Sequence, residues 1–244
     1  MGSFVITNAR VFTGGLDATG VSNTVKFDAE VEAKDRTNMG SGGWTEVRGG
    51  LAKTEIEAGG QWEAGGRGFV DDELFASLGG VGALSVCPDG AAVGSLAWLT
   101  KAMQGKYSLG DQVGEIAPWS MSGKGSWPLA RGLVAHPPGT ARTATGTGTG
   151  QQLGAVGAAQ YLYAGLHVLS IAGTSTPTIT VEIESDDSNS FASPTSRITF
   201  DAATAVGGQL KRIGGAITDN WFRPKWTITG TTPSFLFVVS FGVK

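Results

Sequence analysis

The 244-residue chain holds one cysteine, Cys87, and two histidines, His136 and His167. A single thiol excludes an internal disulfide, so no secretory compartment is implied. The histidines are far apart and stand in no metal-spaced cluster, so no metal site is read. No Gly-x-Ser-x-Gly elbow occurs, and no Ser/His/Asp order stands out. Cys87 precedes Pro88-Asp89-Gly90 and is read as a packed thiol. Charge is scarce as well. Asp, Glu, Lys and Arg make up 16% of the chain, and 18 basic residues against 21 acidic leave a net of −3. That balance gives no net attraction for a phosphate backbone. The longest apolar run, Phe235 to Val243, is well short of the ~20 residues that a membrane helix needs. The opening residues show no basic segment followed by an apolar core, so the expectation is a protein kept in the cytoplasm.

Glycine is plentiful: 39 of 244 residues, against a usual share of about 7%. It follows no collagen-like period. With 41% apolar residues, the chain has enough to bury for a folded, turn-rich protein. The acidic excess lies wholly before Pro137, where 11 basic residues face 15 acidic ones.

Most of the pattern has period two. Residues 25–33, VKFDAEVEA, alternate apolar and charged, as in a strand with one buried and one wet face. Residues 52–63 repeat this, with Lys53, Glu55, Glu57, Gln61 and Glu63 on the wet side. A third alternating stretch covers 115–134. Two short helices are expected, over Val70–Leu78 before Gly79-Gly80 and over Ser95–Gln104 with Leu96, Leu99 and Met103 on one stripe. Residues 138–151, rich in Gly and Thr, read as a linker. Beyond it only strands are expected, at 161–170, 178–184, 197–201, 210–213, 222–229 and 235–241. The expectation is therefore mainly β: a sandwich with short helices over 1–137, then a second all-β sandwich, Ig-like or jelly-roll-like, over 152–244.

Asp35 to Gly50 forms a sixteen-residue gap between two strands, longer than the usual hairpin loop of about 2–5. Asp35, Arg36, Met39, Trp44, Val47 and Arg48 make it either a docking loop or a mobile one. Antiparallel pairing of its flanking strands would gather Asp28, Glu30, Glu32, Glu55, Glu57 and Glu63 on one face, which is either a purposeful acidic surface or a merely soluble one. Gly146-Thr-Gly-Thr-Gly150 lacks the Lys-Ser/Thr of a phosphate loop. Residues 184–189 are either a solvated turn or a calcium loop. Trp221, Phe222 and Trp226 are either core or a sugar-stacking platform.

The segments SFVITNARVFTGGLD, TVKFDAEVEAKDRTNMGSGGWTEVRGGLAKTEIEAGGQWE and GEIAPWSMSGKGSWPLARGLV resemble the tail tube proteins of long-tailed bacteriophages. The likeness covers residues ~1–135. It implies a non-enzymatic structural protein without cofactors, made in the host bacterial cytoplasm and resident in the virion tail. Rings of six, or of three with pseudo-six-fold symmetry, would stack with other tail proteins into a tube. DNA would pass through without specific binding, and no membrane is involved. The loop Asp35–Gly50 would contact the next ring, and the six acids would line the bore. Residues 152–244 would decorate the outside or complete a pseudo-repeat. A carbohydrate- or cell-surface-binding module and a hydrolase fragment are the alternatives.

Overall fold

Alternation becomes sheet through nine strands, with one α-helix and two 3-10 turns among the described residues, in the first part of the computed structural model, which describes residues 6–66 and 68–244. The reading of the chain's opening falls partly on residues 1–5, outside that range. The strands are β1 (Arg10–Thr13), β2 (Leu16–Asp17), β3 (Ser22–Asp35), β4 (Val47–Gln61), β5 (Val81–Cys87), β6 (Leu96–Leu109), β7 (Pro118–Gly125), β8 (Ala130–His136) and the short β9 (Gly146–Thr147). Helix α1 spans Val70–Ala76. Antiparallel pairs run β3–β4–β7–β6–β5–β1–β2. The inward residues Ile56, Ala58, Trp119 and Met121 meet Val70 and Leu74 of α1 in one core.

The helix forms where its signals predict. Asp71, Asp72 and Glu73 occupy its first turn, where unpaired N–H groups favour negative charge. The Asp72 carboxylate accepts from the amides of Gly65 and Gly66, which hold its pKa below the ordinary value. Gly79 follows at φ +79°, the left-handed conformation that ends many helices.

The second expected helix, Ser95–Gln104, is instead strand β6. The physical reason is its central place, hydrogen-bonded to β5, β7 and β8. Leu99 packs into one cluster, Ala97 into another, and Trp98 against a third. A strand covered on both faces carries apolar residues without alternation, and such a run also satisfies a helical stripe.

The second part contains β10 (Gln151–Gln152), β11 (Tyr161–Asp186), β12 (Thr195–Thr199), β13 (Gly207–Gly214) and β14 (Trp221–Val243). Four of the expected strands are thus two very long ones. The similar sequences Gly173–Pro177 and Gly230–Pro233 are not hairpin turns; they lie opposite each other, with Thr174 paired to Thr231 and Thr178 to Thr229. Both strands slip register there, and Ser175, Thr176 and Thr232 adopt positive φ. The ribbon bends at these facing bulges. Leu162, Leu166, Ile179, Val181, Phe235 and Phe237, from both sides of the bend, share one core.

The connecting segment 138–151 lies against β14. Arg142 exchanges two backbone hydrogen bonds with Phe235, and β9 and β10 pair with β14. Strand β8 also pairs with β14, so hydrogen bonding continues from the first part into the second. Glycine is required at that seam. A Cβ on Gly132 would stand 1.9 Å from the Phe241 carbonyl oxygen, and one on Gly242 2.5 Å from that of Arg131.

Candidate assembly surfaces

Strands β3 and β4 pair from Ser22–Gly60 to Asp35–Val47, but β7 accompanies β4 only along Glu55–Gln61. The outer half of the hairpin is therefore a two-stranded arm, reaching roughly 26 Å past the sheet at ~3.3 Å per residue over eight residues. The expected sixteen-residue loop is shorter. Val47, Arg48, Gly49 and Gly50 belong to β4, and only residues 36–46 turn. That turn is ordered: the Asn38 side chain accepts from the Gly40 amide, the Thr37 hydroxyl accepts from the Glu46 amide, and the Arg36 amide donates to the Glu46 carbonyl. Hydrogen bonds from the Thr37 hydroxyl and amide hold the Asp35 carboxyl below its ordinary pKa.

The arm buries almost nothing of its own. Trp44 is 80% exposed, and Met39, Val31, Val47 and Leu51 also stand in solvent. A lone two-stranded hairpin is marginal in water, and clustered exposed apolar side chains mark contact surfaces. The other edge of β3 pairs with nothing among the described residues, which leaves a row of backbone donors and acceptors open to a neighbouring chain.

The predicted acidic face forms in part. Asp28 lies across from Glu55, Lys26 from Glu57, Glu30 from Lys53, and Glu55 again from Lys124 of β7. The register thus brings Asp28, Glu30, Glu55 and Glu57 together and sets lysines among them. Glu32 stands at a bulge and pairs with Lys34. Glu63 lies beyond the end of β4, away from the others. Lys26 is paired to Asp28 at 2.6 Å, and that hydrogen bond with its opposite charge raises the lysine pKa. The lysines at 26 and 53 were readable in the same alternation. Lys124 was not, because only the pairing of β7 with β4 brings it there.

A second exposed apolar group, missed in the sequence, lies on the loop 110–117 between β6 and β7. Ile116 is 70% exposed, and Val113 and the adjoining Leu109 are also in solvent. Its signal was two aliphatic residues inside a Gly-rich, acidic stretch, GDQVGEIA. Close by, Asp71 accepts from the Trp62 indole and the Tyr107 hydroxyl, which ties α1 to β6. Burial, then Asp71 itself, pushes the Tyr107 hydroxyl up to about 12.

The tryptophan platform does not form. Trp226 is 4% exposed, donates its indole N–H to the Ala144 carbonyl, and lies beneath the Arg142 guanidinium. Trp221 is five residues away on the same strand and so points to the opposite face. In the 184–189 turn, Glu184 pairs with Arg223 and Lys225, and Asp186 accepts from the Ser188 and Ser193 amides. Among the described residues, no group of three or more His, Cys, Asp or Glu is placed to hold a metal ion.

Both histidines are buried structural groups. His167 donates from Nδ1 to the Gly14 carbonyl at 2.8 Å, and its Nε2 accepts from the Ser85 hydroxyl at 2.8 Å, bridging the two parts of the chain. His136 donates from Nδ1 to the Phe237 carbonyl and accepts from Arg142 at Nε2. Burial lowers both to about 4. Burial pushes the Cys87 thiol up to about 12, so it stays protonated and inert.

No protein-family model matches the chain, and no curated protein matches it. Among solved structures it is similar to a chain in the virion of a native gene transfer agent particle, at 17% identity over 46% of this chain and 84% of that one, with a TM-score of 0.38. A chain in the tail of the empty gene transfer agent particle, computed with C6 symmetry, is similar at 17% identity over 45% and 81%, with a TM-score of 0.37. The Dit protein (gp 19.1) of SPP1, described as a paradigm of the hub adsorption apparatus in phages infecting Gram-positive bacteria, is similar at 13% identity over 98% and 100%, with a TM-score of 0.38.

The fold is mainly antiparallel β, and the pairing of β8 with β14 carries one hydrogen-bonded sheet through the described residues.

Proposed function

We propose that this chain is a non-enzymatic structural subunit of a bacteriophage tail. Copies assemble in the host cytoplasm into a ring, six-fold or three-fold with pseudo-six-fold symmetry, and rings stack with other tail proteins into a conduit for DNA. The observation that carries this reading is the bare β3–β4 arm, whose ordered turn presents Trp44 and Met39 to solvent. A side chain as large as tryptophan, held out on a marginal hairpin, calls for a protein partner. The open edge of β3 supports self-association around a ring. Residues 1–137 build the ring, 138–151 connect, and 152–244 sit on the outside.

The face bearing Asp28, Glu30, Glu55 and Glu57 turns to the bore. With lysines interleaved it has no cationic excess, so it does not collect phosphates and DNA slides past. Lysine at positions 30, 55 and 57 turns this face basic. Particles carrying those changes are expected to assemble normally and to eject DNA poorly; normal ejection removes the face from the bore.

Negative-stain microscopy of purified protein is expected to show rings and short stacks. A chain that stays monomeric at high concentration and forms no rings overturns the reading.

A further inference from the structure

One corner of the molecule gathers unpaired cations and half-exposed rings. Val81 of β5 lies opposite Met103 of β6, and both are exposed. Lys101 stands two residues from Met103 on the same strand face, its ammonium 5.5 Å from the centre of the Trp127 ring. The Arg212 guanidinium of β13 lies 4.6 Å from the centre of that ring and 4.8 Å from that of the exposed Tyr161. These contacts run unbroken from β5, past the β7–β8 turn, to β11 and β13. Arg212 donates to the Tyr163 hydroxyl, and neither it nor Lys101 makes an ion pair among the described residues. Lys124 lies opposite Met103, with Glu55 opposite it in turn. Three cations and one carboxylate give these side chains a net of +2.

Loop 110–117 has the opposite character. It contains Asp111 and Glu115 and no base, a net of −2, and Val113 and Ile116 stand in solvent. Gln61, the last residue of β4, pairs with Pro118, and Leu109 pairs with Trp119, so the loop closes the sheet at the end opposite the arm tip. Six residues of β6 separate Met103 from Leu109, roughly 20 Å at ~3.3 Å per residue. The loop thus lies far from the corner of its own chain. The acidic turn 184–189 is a poorer match, because Glu184 is paired with Arg223 and Lys225, and Asp186 is buried. The arm tip would bring Arg36 and Arg48 against like charge.

We propose that loop 110–117 of one copy docks in the Trp127–Arg212 corner of a second copy. Val113 and Ile116 rest on Val81 and Met103, while Asp111 and Glu115 face Arg212 and Lys101. The carboxylates there add ion pairs to a guanidinium that its aromatic neighbours already hold in place. Corner against corner opposes cations, and loop against loop opposes carboxylates. The contact is therefore heterologous and repeats from copy to copy. It rests on the reading of the chain as a self-assembling tail subunit, and it involves neither the β3–β4 arm nor the open edge of β3.

The test is a double variant, M103C/V113C, oxidised mildly in assembled protein; Cys87 is buried and stays in place. Within one chain the two positions are too far apart for a disulfide, which needs Cα atoms within about 7 Å. The expected result is a covalent ladder on a non-reducing gel: dimers, trimers and longer. Each single variant gives no ladder, and a mixture of the two singles stops at dimers. In a second arm, D111K/E115K alters only exposed side chains and is expected to raise the concentration needed for assembly about tenfold or more. Adding K101E to the same chain recovers part of that loss. Assembled particles without a ladder, or D111K/E115K assembling as readily as the unmodified protein, overturn the loop-to-corner contact and leave the tail-subunit reading standing. Dimers from V113C alone overturn it in favour of loop-to-loop pairing. An unmodified chain that stays monomeric removes the tail-subunit reading, and this contact with it.

Discussion

The molecule contains two long antiparallel ribbons that end in opposite conditions. Strands β11 and β14, 26 and 23 residues, bend at facing bulges and enclose their own apolar sides. Strands β3 and β4, 14 and 15 residues, leave their outer half bare. The difference lies in what covers the side chains. The enclosed ribbon turns leucine, isoleucine, valine and four phenylalanines inward. The bare one intersperses Val31, Val47 and Leu51 with Ala29, Ala33, Gly49, Gly50 and Ala52, and its large apolar side chains stay in solvent. One ribbon stabilises the subunit; the other is, on the function proposed above, the surface left for a neighbour.

The contrast breaks most sharply at Phe237, fully buried in the enclosed ribbon. Phe237→Ala is expected to lower unfolding free energy by about 3–5 kcal/mol, measured by chemical denaturation of dissociated subunits. Next comes the seam. Gly132→Ala forces a methyl against the Phe241 carbonyl and is expected to cost up to about 3 kcal/mol, with increased proteolysis between the two parts.

Acid probes the same enclosed region. Both histidines titrate near 4 when folded, below the ordinary 6.5. The unfolded chain therefore takes up protons first, so the stability they contribute is full above pH 6.5 and is lost as pH falls towards 4. At pH 5 the loss is roughly 2 kcal/mol per ring. His167→Gln is expected to remove about half of this pH dependence; an unchanged slope between pH 7 and 5 refutes the assignment.

The smallest effect on the isolated subunit belongs to the arm. Trp44→Ala is expected to change monomer stability by less than about 0.5 kcal/mol, since the side chain touches little, while stacks disappear in negative stain. A large loss of monomer stability would mean that the arm folds back onto its own subunit.

How much was legible follows the same division. Alternation at Val25–Ala33 and Ala52–Glu63 revealed the arm strands, because one face of each is wet along its length. Strand β6 was misread as a helix because burial on both faces erases period two. Strands β11 and β14 were each read as two because Gly173-Thr-Ser-Thr-Pro177 and Gly230-Thr-Thr-Pro233 carry residues that serve a bulge as well as a hairpin. Among the candidate surfaces, strand register brings Asp28, Glu30, Glu55 and Glu57 together, while Asp35, Val47 and Arg48 belong to the strands and not to the turn. Trp226 was lost to the core, and the 110–117 loop went unread because nothing local says which end of the sheet a loop closes.

Local residue chemistry by itself determined that the chain is mainly β, that α1 starts at its acids and stops at Gly79, and that the segment around Trp44 is kept out of the core. Tertiary structure alone decided which strands are neighbours. A strand's hydrogen bonds are satisfied by a partner distant in sequence, so lysine beside acid, one part sewn to the other, and two exposed loops set at opposite ends all follow from pairing.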